Sequence, residues 1–332
     1  VQTNRLVSLL GMGGSGKTRL SIEVARAALP AFPDGVWFVD LIPRRSTDPL
    51  DVAVADAAGI SLSSGADAPS LSEVVGQRRL LFVLDNCEHL VGPVIDLVDE
   101  LLDSTTCHFL LTSRLPLNLA GEYRCRVGSM SVEGSDADAV ELFLATADRF
   151  GADVSTLDGD LVGQVCRRLD GLPLALELAA AQLRHLPLAE VAARLDTRFD
   201  LLVSGTRDPR HPSLAAVLDD SWDGLAAEEK SLLAALSAFP GDFALRDVEE
   251  LLERGDIVPS LGELIDRSLV TVRPGSDARY HLLDSVRAFG RSRGGEHAAS
   301  ETLERHAEWC MERVGSNVGR HLFDYGNARW CQ

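Results

Sequence analysis

The chain has 332 residues, room for two or three domains, and 45% of them are hydrophobic, enough for sizeable cores. Its 50 acidic residues against 32 basic ones leave a formal net charge of −18, which excludes a broad face gripping a phosphate backbone but not one nucleotide in a local pocket. No apolar run approaches the roughly 20 residues of a membrane span. The opening Val1-Gln2-Thr3-Asn4-Arg5 lacks signal-peptide character, and with Val rather than Met at position 1 a piece of a longer protein is expected. Cys87, Cys107, Cys125, Cys166, Cys310 and Cys331 show no C-x-x-C spacing and no clustered histidines, so they read as buried reduced thiols of a cytoplasmic protein.

The first element is an apolar strand, Arg5–Leu10. Gly11-Met12-Gly13-Gly14-Ser15-Gly16-Lys17-Thr18 follows and fits G-x-x-x-x-G-K-[ST], with a helix over Arg19–Leu29 behind it. Strand, glycine loop and helix is the order a phosphate-binding loop needs. Glycines let backbone N–H groups close round phosphate oxygens in conformations a Cβ forbids, and the helix N-terminus adds positive potential. In such a loop Lys17 reaches the β- and γ-phosphates and Thr18 offers its hydroxyl to Mg2+. Gly11, Gly13, Gly14, Ser15, Gly16, Lys17, Thr18 and the adjoining Arg19 are the expected nucleotide contacts.

A second strand is expected over Gly35–Leu41, an alanine-rich helix over Pro49–Ile60, a polar loop over Ser61–Ser70 and a short helix over Ser72–Arg79. Leu80-Leu81-Phe82-Val83-Leu84-Asp85 is an apolar run closed by an acid, the pattern of a buried parallel strand whose C-terminal end faces a ligand. Asp85 is the expected Mg2+ residue. The next residue, Asn86, is a poor base, so slow hydrolysis is expected; Glu88 and His89 lie nearby, more simply read as a solvated loop. Cys107–Ser113 is another strand, ending at Arg114, whose fixed cation is either a γ-phosphate sensor or a surface residue. Tyr123–Val127 is the last strand. Alternating strands and helices predict a parallel sheet covered on both faces.

Beyond it the sequence turns helical. A helix starts at Ser135 with Asp136 and Asp138 in its first turn, and others cover Leu161–Leu169, the segment from Pro173, and Leu188–Leu195, with Pro173 in a first turn where its missing N–H costs nothing. Thr206–Pro212 reads as a polar linker. Helices are expected over Leu214–Trp222, Ala227–Phe239, Leu245–Arg254 and Ser260–Ser268, then a hairpin of Leu269–Arg273 and Arg279–Leu283 about the turn Pro274-Gly275-Ser276-Asp277. Helices before a hairpin suggest a winged helix. Glu263 and Asp266 against Arg267 make its final helix a poor phosphate partner, so a packing role is expected rather than DNA binding. An amphipathic helix at Ser300–Val314 and a tail to Gln332 read as the start of a further helical arm.

The order of motifs is more specific than any one of them: the P-loop, Leu84-Asp85-Asn86-Cys87-Glu88-His89-Leu90, Leu111-Thr112-Ser113-Arg114, Gly171-Leu172-Pro173-Leu174, Ser221-Trp222-Asp223-Gly224-Leu225, and Arg279-Tyr280-His281-Leu282-Leu283-Asp284-Ser285-Val286-Arg287. Together they resemble a STAND-class signalling ATPase of the NB-ARC type, and within it the ATPase core of large bacterial transcriptional regulators of the SARP and LuxR types. The resemblance implies an α/β P-loop NTPase domain over 1–132, a helical domain over 133–204, a winged-helix domain over 205–290 and the start of a sensor arm over 291–332. It implies a switch in which ADP, buried between domains, locks a closed form and ATP opens it for self-association. Its DNA-binding and sensor domains would lie elsewhere in the longer protein, and neither DNA nor membrane would be a direct partner. Pro173 would pack on adenine and Arg114 would sense the γ-phosphate. The Met-His-Asp histidine of such proteins aligns with Leu283, so His281, two residues earlier on the same strand face, either substitutes for it or is a plain strand histidine. A motor ATPase acting on DNA through the winged helix, and a small-molecule kinase, are the alternatives. The first expects a basic surface and an acid after Asp85, the second a compact single domain with a lid.

Overall fold

The computed structural model describes residues 1–45, 47–60, 62, 69–133, 137–195, 214–253, 256–273, 278–293 and 304–311. Several expected features lie outside them: most of the loop at 61–70, the helix start at Ser135 and Asp136, the linker Thr206–Pro212 with the 204/205 domain boundary, the turn Pro274–Asp277, the first residues of the helix read from Ser300, and the tail with Cys331. The chain forms two compact units, Val1–Gly128 and the described residues from Ser129 onward.

The first unit is built on five parallel strands: β1 (Leu6–Leu10), β2 (Val36–Asp40), β3 (Leu81–Asp85), β4 (His108–Ser113) and β5 (Tyr123–Arg126). Their order across the sheet is β2-β3-β4-β1-β5. Side chains alternate between the faces, and each face has its own core. Leu6, Phe82, Leu84, Phe109 and Leu111 pack with α2 (Leu50–Ala57), α3 (Leu71–Val75) and α4 (Val91–Ser104). Val7, Leu9, Leu81, Val83 and Leu110 pack on the other face with Ala28 of α1 (Lys17–Ala28) and with Phe32. This two-sided burial is why β3 reads as an apolar run up to Asp85, and β1 as one broken only by the buried Ser8, rather than as alternating patterns. Strand β5 is the exception: all four of its residues are exposed, as suits an edge strand written Tyr-Arg-Cys-Arg. Cys125 is therefore exposed and Cys310 half-buried, whereas Cys87, Cys107 and Cys166 are buried free thiols.

Helix α4 is not among the sequence expectations. Gly92 and Pro93 obscure its start, but Val94, Leu97, Val98 and Leu101 form a buried stripe at helical spacing. Among the described residues no helix is long and apolar enough to cross a membrane.

The second unit holds α5 (Asp138–Arg149), α6 (Gly159–Arg168), α7 (Pro173–Gln182) and α8 (Leu188–Leu195), followed by α9 (Leu214–Asp223), α10 (Ala227–Leu236), α11 (Leu245–Leu252) and α12 (Val258–Asp266). The antiparallel pair β6 (Val270–Arg273) and β7 (Arg279–Leu282) and α13 (Asp284–Arg293) come next, and residues 304–311 are also helical. Helix α7 is buried nearly all round and packs on α5. Helix α13, which the sequence reading treats only as a motif, packs on α9 and α10. The approach to α10 is close: a Cβ at Gly290 would stand 2.2 Å from Ser237 Oγ. His306, on the 304–311 helix, packs edge-on against Phe239 with ring centroids 4.8 Å apart.

Candidate functional site

The glycine loop leaves the buried end of β1 and enters α1 at Lys17. Gly14 and Gly16 have φ of +80° and +88°, the left-handed region in which a side chain is strained. A Cβ at Gly11 would lie 2.5 Å from the Val127 carbonyl oxygen, so the loop lies against the end of β5 only because that position is glycine. Lys17 is buried, and its Nζ donates to the carbonyls of Gly11 (2.8 Å) and Met12 (3.0 Å). Burial lowers its amine to about 8; Glu88 opposes the shift, Arg114 adds to it and Asp85 opposes it. Ser15 Oγ is buried with no hydrogen-bond partner, and the first turn of α1 contains no acid. The Arg19 side chain is 81% exposed and pairs with Glu23 one turn on.

Asp85 ends β3, only 2% exposed. Thr18 Oγ1 donates to its Oδ1 and Oδ2 at 2.9 and 3.0 Å, Thr112 Oγ1 to Oδ1 at 2.6 Å, and Asn86 Nδ2 to Oδ2 at 2.9 Å. Thr112 in turn accepts the Asn86 backbone N–H at 2.9 Å. Burial raises the Asp85 carboxyl above its ordinary range against the hydrogen bonds of Thr112 and Thr18, and the nearby acids Asp40 and Glu88 push the same way as burial. Thr112 has no role in the sequence reading. The polar end of an apolar strand marks it, but only the strand order puts it beside Asp85.

Asn86 has φ +63°, and this left-handed residue turns the chain into the short helical turn Cys87–His89. The turn brings Glu88 back to Arg114 beyond β4, with Oε1 3.1 Å from Nε, and both side chains are largely buried (11% and 20% exposed). Glu88 is therefore not the solvated loop residue expected from sequence. Its Oε2 is buried without a hydrogen-bond partner.

The other two expected contacts lie in the second unit. Pro173 opens α7 after Gly171, whose φ is +63°. His281 is on β7 with Nδ1 2.8 Å from Asp242 Oδ1; burial lowers its pKa, Arg273 adds to the effect and Asp242 opposes it. It borders a cavity of about 640 Å3 together with Arg167, Arg168, Asp170, Arg273 and Asp284.

The residues of the first unit fit a polyphosphate with its cation. An orphaned Ser15 hydroxyl, a buried amine held only by carbonyls and an acid-free helix N-terminus suit an anion. Asp85 with Thr18 suits Mg2+. No group of three or more His, Cys, Asp or Glu among the described residues is placed to hold a metal, so the remaining ligands would come from phosphate and water, as is usual for this ion.

Fold and site together define a P-loop NTPase domain. The Walker-type ATPase PABY2304 of Pyrococcus abyssi superposes with a TM-score of 0.58 over 88% of this chain and 92% of its own, at 14% identity, a likeness of fold alone. The uncharacterized protein Rv0894 of Mycobacterium tuberculosis is 34% identical over 313 residues, 90% of this chain and 79% of that protein, and the chain belongs to its family. It is also 39% identical over 325 residues (94% of the chain) to the "Putative HTH-type transcriptional regulator Rv0890c" of the same species, and 30% identical over 349 residues (96% of the chain) to the regulatory protein AfsR of Streptomyces coelicolor. The chain spans about a third of the length of these two regulators, 36% and 31%. No family model matches it.

Proposed function

We propose that the chain is the nucleotide-dependent switch of a transcriptional regulator, a STAND ATPase of the NB-ARC type that binds ATP or ADP with Mg2+ and hydrolyses ATP slowly. The observation that carries this reading is the meeting of Lys17 and Thr18, at the start of α1, with Asp85 at the end of β3. The likeness to Rv0890c and AfsR supports the regulatory setting.

In this reading the loop N–H groups of Gly13, Gly14, Ser15 and Gly16 and the N-terminus of α1 bind the phosphates. Lys17 gives up the carbonyls of Gly11 and Met12 to neutralise them. Thr18 and Asp85 hold Mg2+, which when bound neutralises charge on the phosphate oxygens. Thr112 and Asn86 keep the Asp85 carboxylate aimed. Arg114 senses the γ-phosphate, and Pro173 and His281 are further nucleotide contacts. The helices from α9 with β6 and β7 form a winged-helix domain that packs rather than reads DNA. The ADP form is closed and the ATP form self-associates; DNA-binding and sensor domains belong to the rest of a cytoplasmic regulator.

The test is to denature the purified protein and identify the nucleotide released. Stoichiometric ADP, with slow turnover of added ATP unaffected by DNA, is the expected result. An empty protein that turns over ATP rapidly when DNA is added would overturn the switch.

A further inference from the structure

Hydrolysis of a phosphoanhydride needs a group to take the proton of the attacking water. The residue after Asp85 is an amide, and the structure shows it committed elsewhere: Asn86 Nδ2 donates to Asp85 and its N–H to Thr112. The left-handed turn at Asn86 presents Glu88 instead. Glu88 has the only carboxylate oxygen among the described residues that is buried without a hydrogen-bond partner, while its other oxygen is held by Arg114. Of the charged side chains acting on Lys17, Glu88 acts most strongly, ahead of Arg114 and Asp85, so it faces the phosphate loop rather than solvent.

We propose that Glu88 accepts the proton of the attacking water, and that Arg114 restrains it through their ion pair until a γ-phosphate competes for the guanidinium. The inference rests on the reading of the chain as an ATP hydrolase. In the step, the water oxygen bonds to the γ-phosphorus while the bond from phosphorus to the bridging oxygen breaks, its electron pair leaving with ADP. The water proton passes to Glu88 Oε2 and then to solvent. One guanidinium shared between two anions makes the resting carboxylate engaged and the ATP-bound one available.

The experiment compares the full chain with Glu88→Gln, Glu88→Asp and Arg114→Ala, reading three quantities: affinity for a fluorescent ATP analogue, single-turnover hydrolysis, and the nucleotide released on denaturation. Glu88→Gln should keep analogue affinity within about 3-fold, lose hydrolysis by roughly 100-fold, the range of general-base catalysis, and purify with ATP instead of ADP. Glu88→Asp should recover part of the rate. Arg114→Ala should lose the preference for ATP over ADP. Wild-type turnover with ADP retained in Glu88→Gln would overturn the inference, as would an equal loss of affinity and rate, since Glu88 would then merely support the loop. Wild-type protein that binds no nucleotide would overturn the parent reading and this one with it.

Discussion

Thr18 donates its hydroxyl to both carboxylate oxygens of Asp85, 67 residues further along the chain. Thr18 lies in the first turn of α1, beyond the glycine loop that follows β1, and Asp85 ends β3; β4 runs between those two strands. Thr112, from that intervening strand, donates to the same carboxylate. With Asn86 Nδ2, three neutral donors hold an acid whose charge burial disfavours, at a spot where a cation would favour it.

Thr112→Val removes one of those donors without changing shape much. Its fold should weaken by about 1 kcal/mol, the ordinary net value of a hydrogen bond. Mg2+-dependent nucleotide affinity should fall while Mg2+-independent affinity holds, a split that titration calorimetry with and without EDTA resolves. Asp85→Asn should abolish the metal dependence altogether.

Lys17→Ala should cost about 100-fold or more in nucleotide affinity, since a buried amine opposite phosphates has no substitute. The melting temperature of the nucleotide-free protein should not fall, because burial already works against the charged amine there. Wild-type affinity in this variant would remove the loop from the binding site.

Gly171 and Gly163 make a matched pair. A Cβ at Gly171 would meet the Met130 carbonyl oxygen at 2.3 Å with φ at +63°, so Gly171→Ala should destabilise by roughly 2 kcal/mol or more. Gly163 lies inside α6 with only the Arg167 guanidinium near, at 3.5 Å. Gly163→Ala should be neutral or stabilise by up to about 1 kcal/mol. Chemical denaturation of the two variants reads both outcomes.

Asp170 accepts the Ser285 N–H at 3.1 Å and so caps the first turn of α13. Burial raises its carboxyl to about 6; the backbone N–H groups of Asp284 and Ser285 oppose the shift, the Asp284 charge adds to it and Arg287 opposes it. The folded state therefore binds a proton between pH 6 and 3.8 that the unfolded chain does not. This group's contribution to stability grows as pH falls through that window, by about 3 kcal/mol at most, and is lost above pH 6. Asp170→Asn should flatten this part of the stability profile and hold its neutral-pH stability, whereas Asp170→Ala should lose about 1 kcal/mol of cap at every pH. A profile of Asp170→Asn parallel to wild type would sink the assignment.

Much of this was readable along the chain because its chemistry is contiguous. Gly11–Thr18 carries its own backbone requirements, and β1 and β3 announce burial on both faces by apolar residues at odd and even positions alike. Helix α4 was hidden by Gly92-Pro93 at its start, and α13 by a mixed, charged sequence whose burial depends on packing against α9 and α10. Glu88 looked like any polar loop residue, since nothing local shows that a left-handed Asn86 turns it inward.

Residues adjacent in the chain suffice for the phosphate-binding loop, the buried parallel strands and the acid that ends β3. Which groups surround that acid follows from packing between segments far apart in the chain. The order β2-β3-β4-β1-β5 brings Thr112 to the same carboxylate as Thr18 and sets Arg114 against Glu88. Hydrogen bonds and ion pairs act over about 3 Å, and side chains separated by 27 or 67 residues come that close only once the strands are laid side by side.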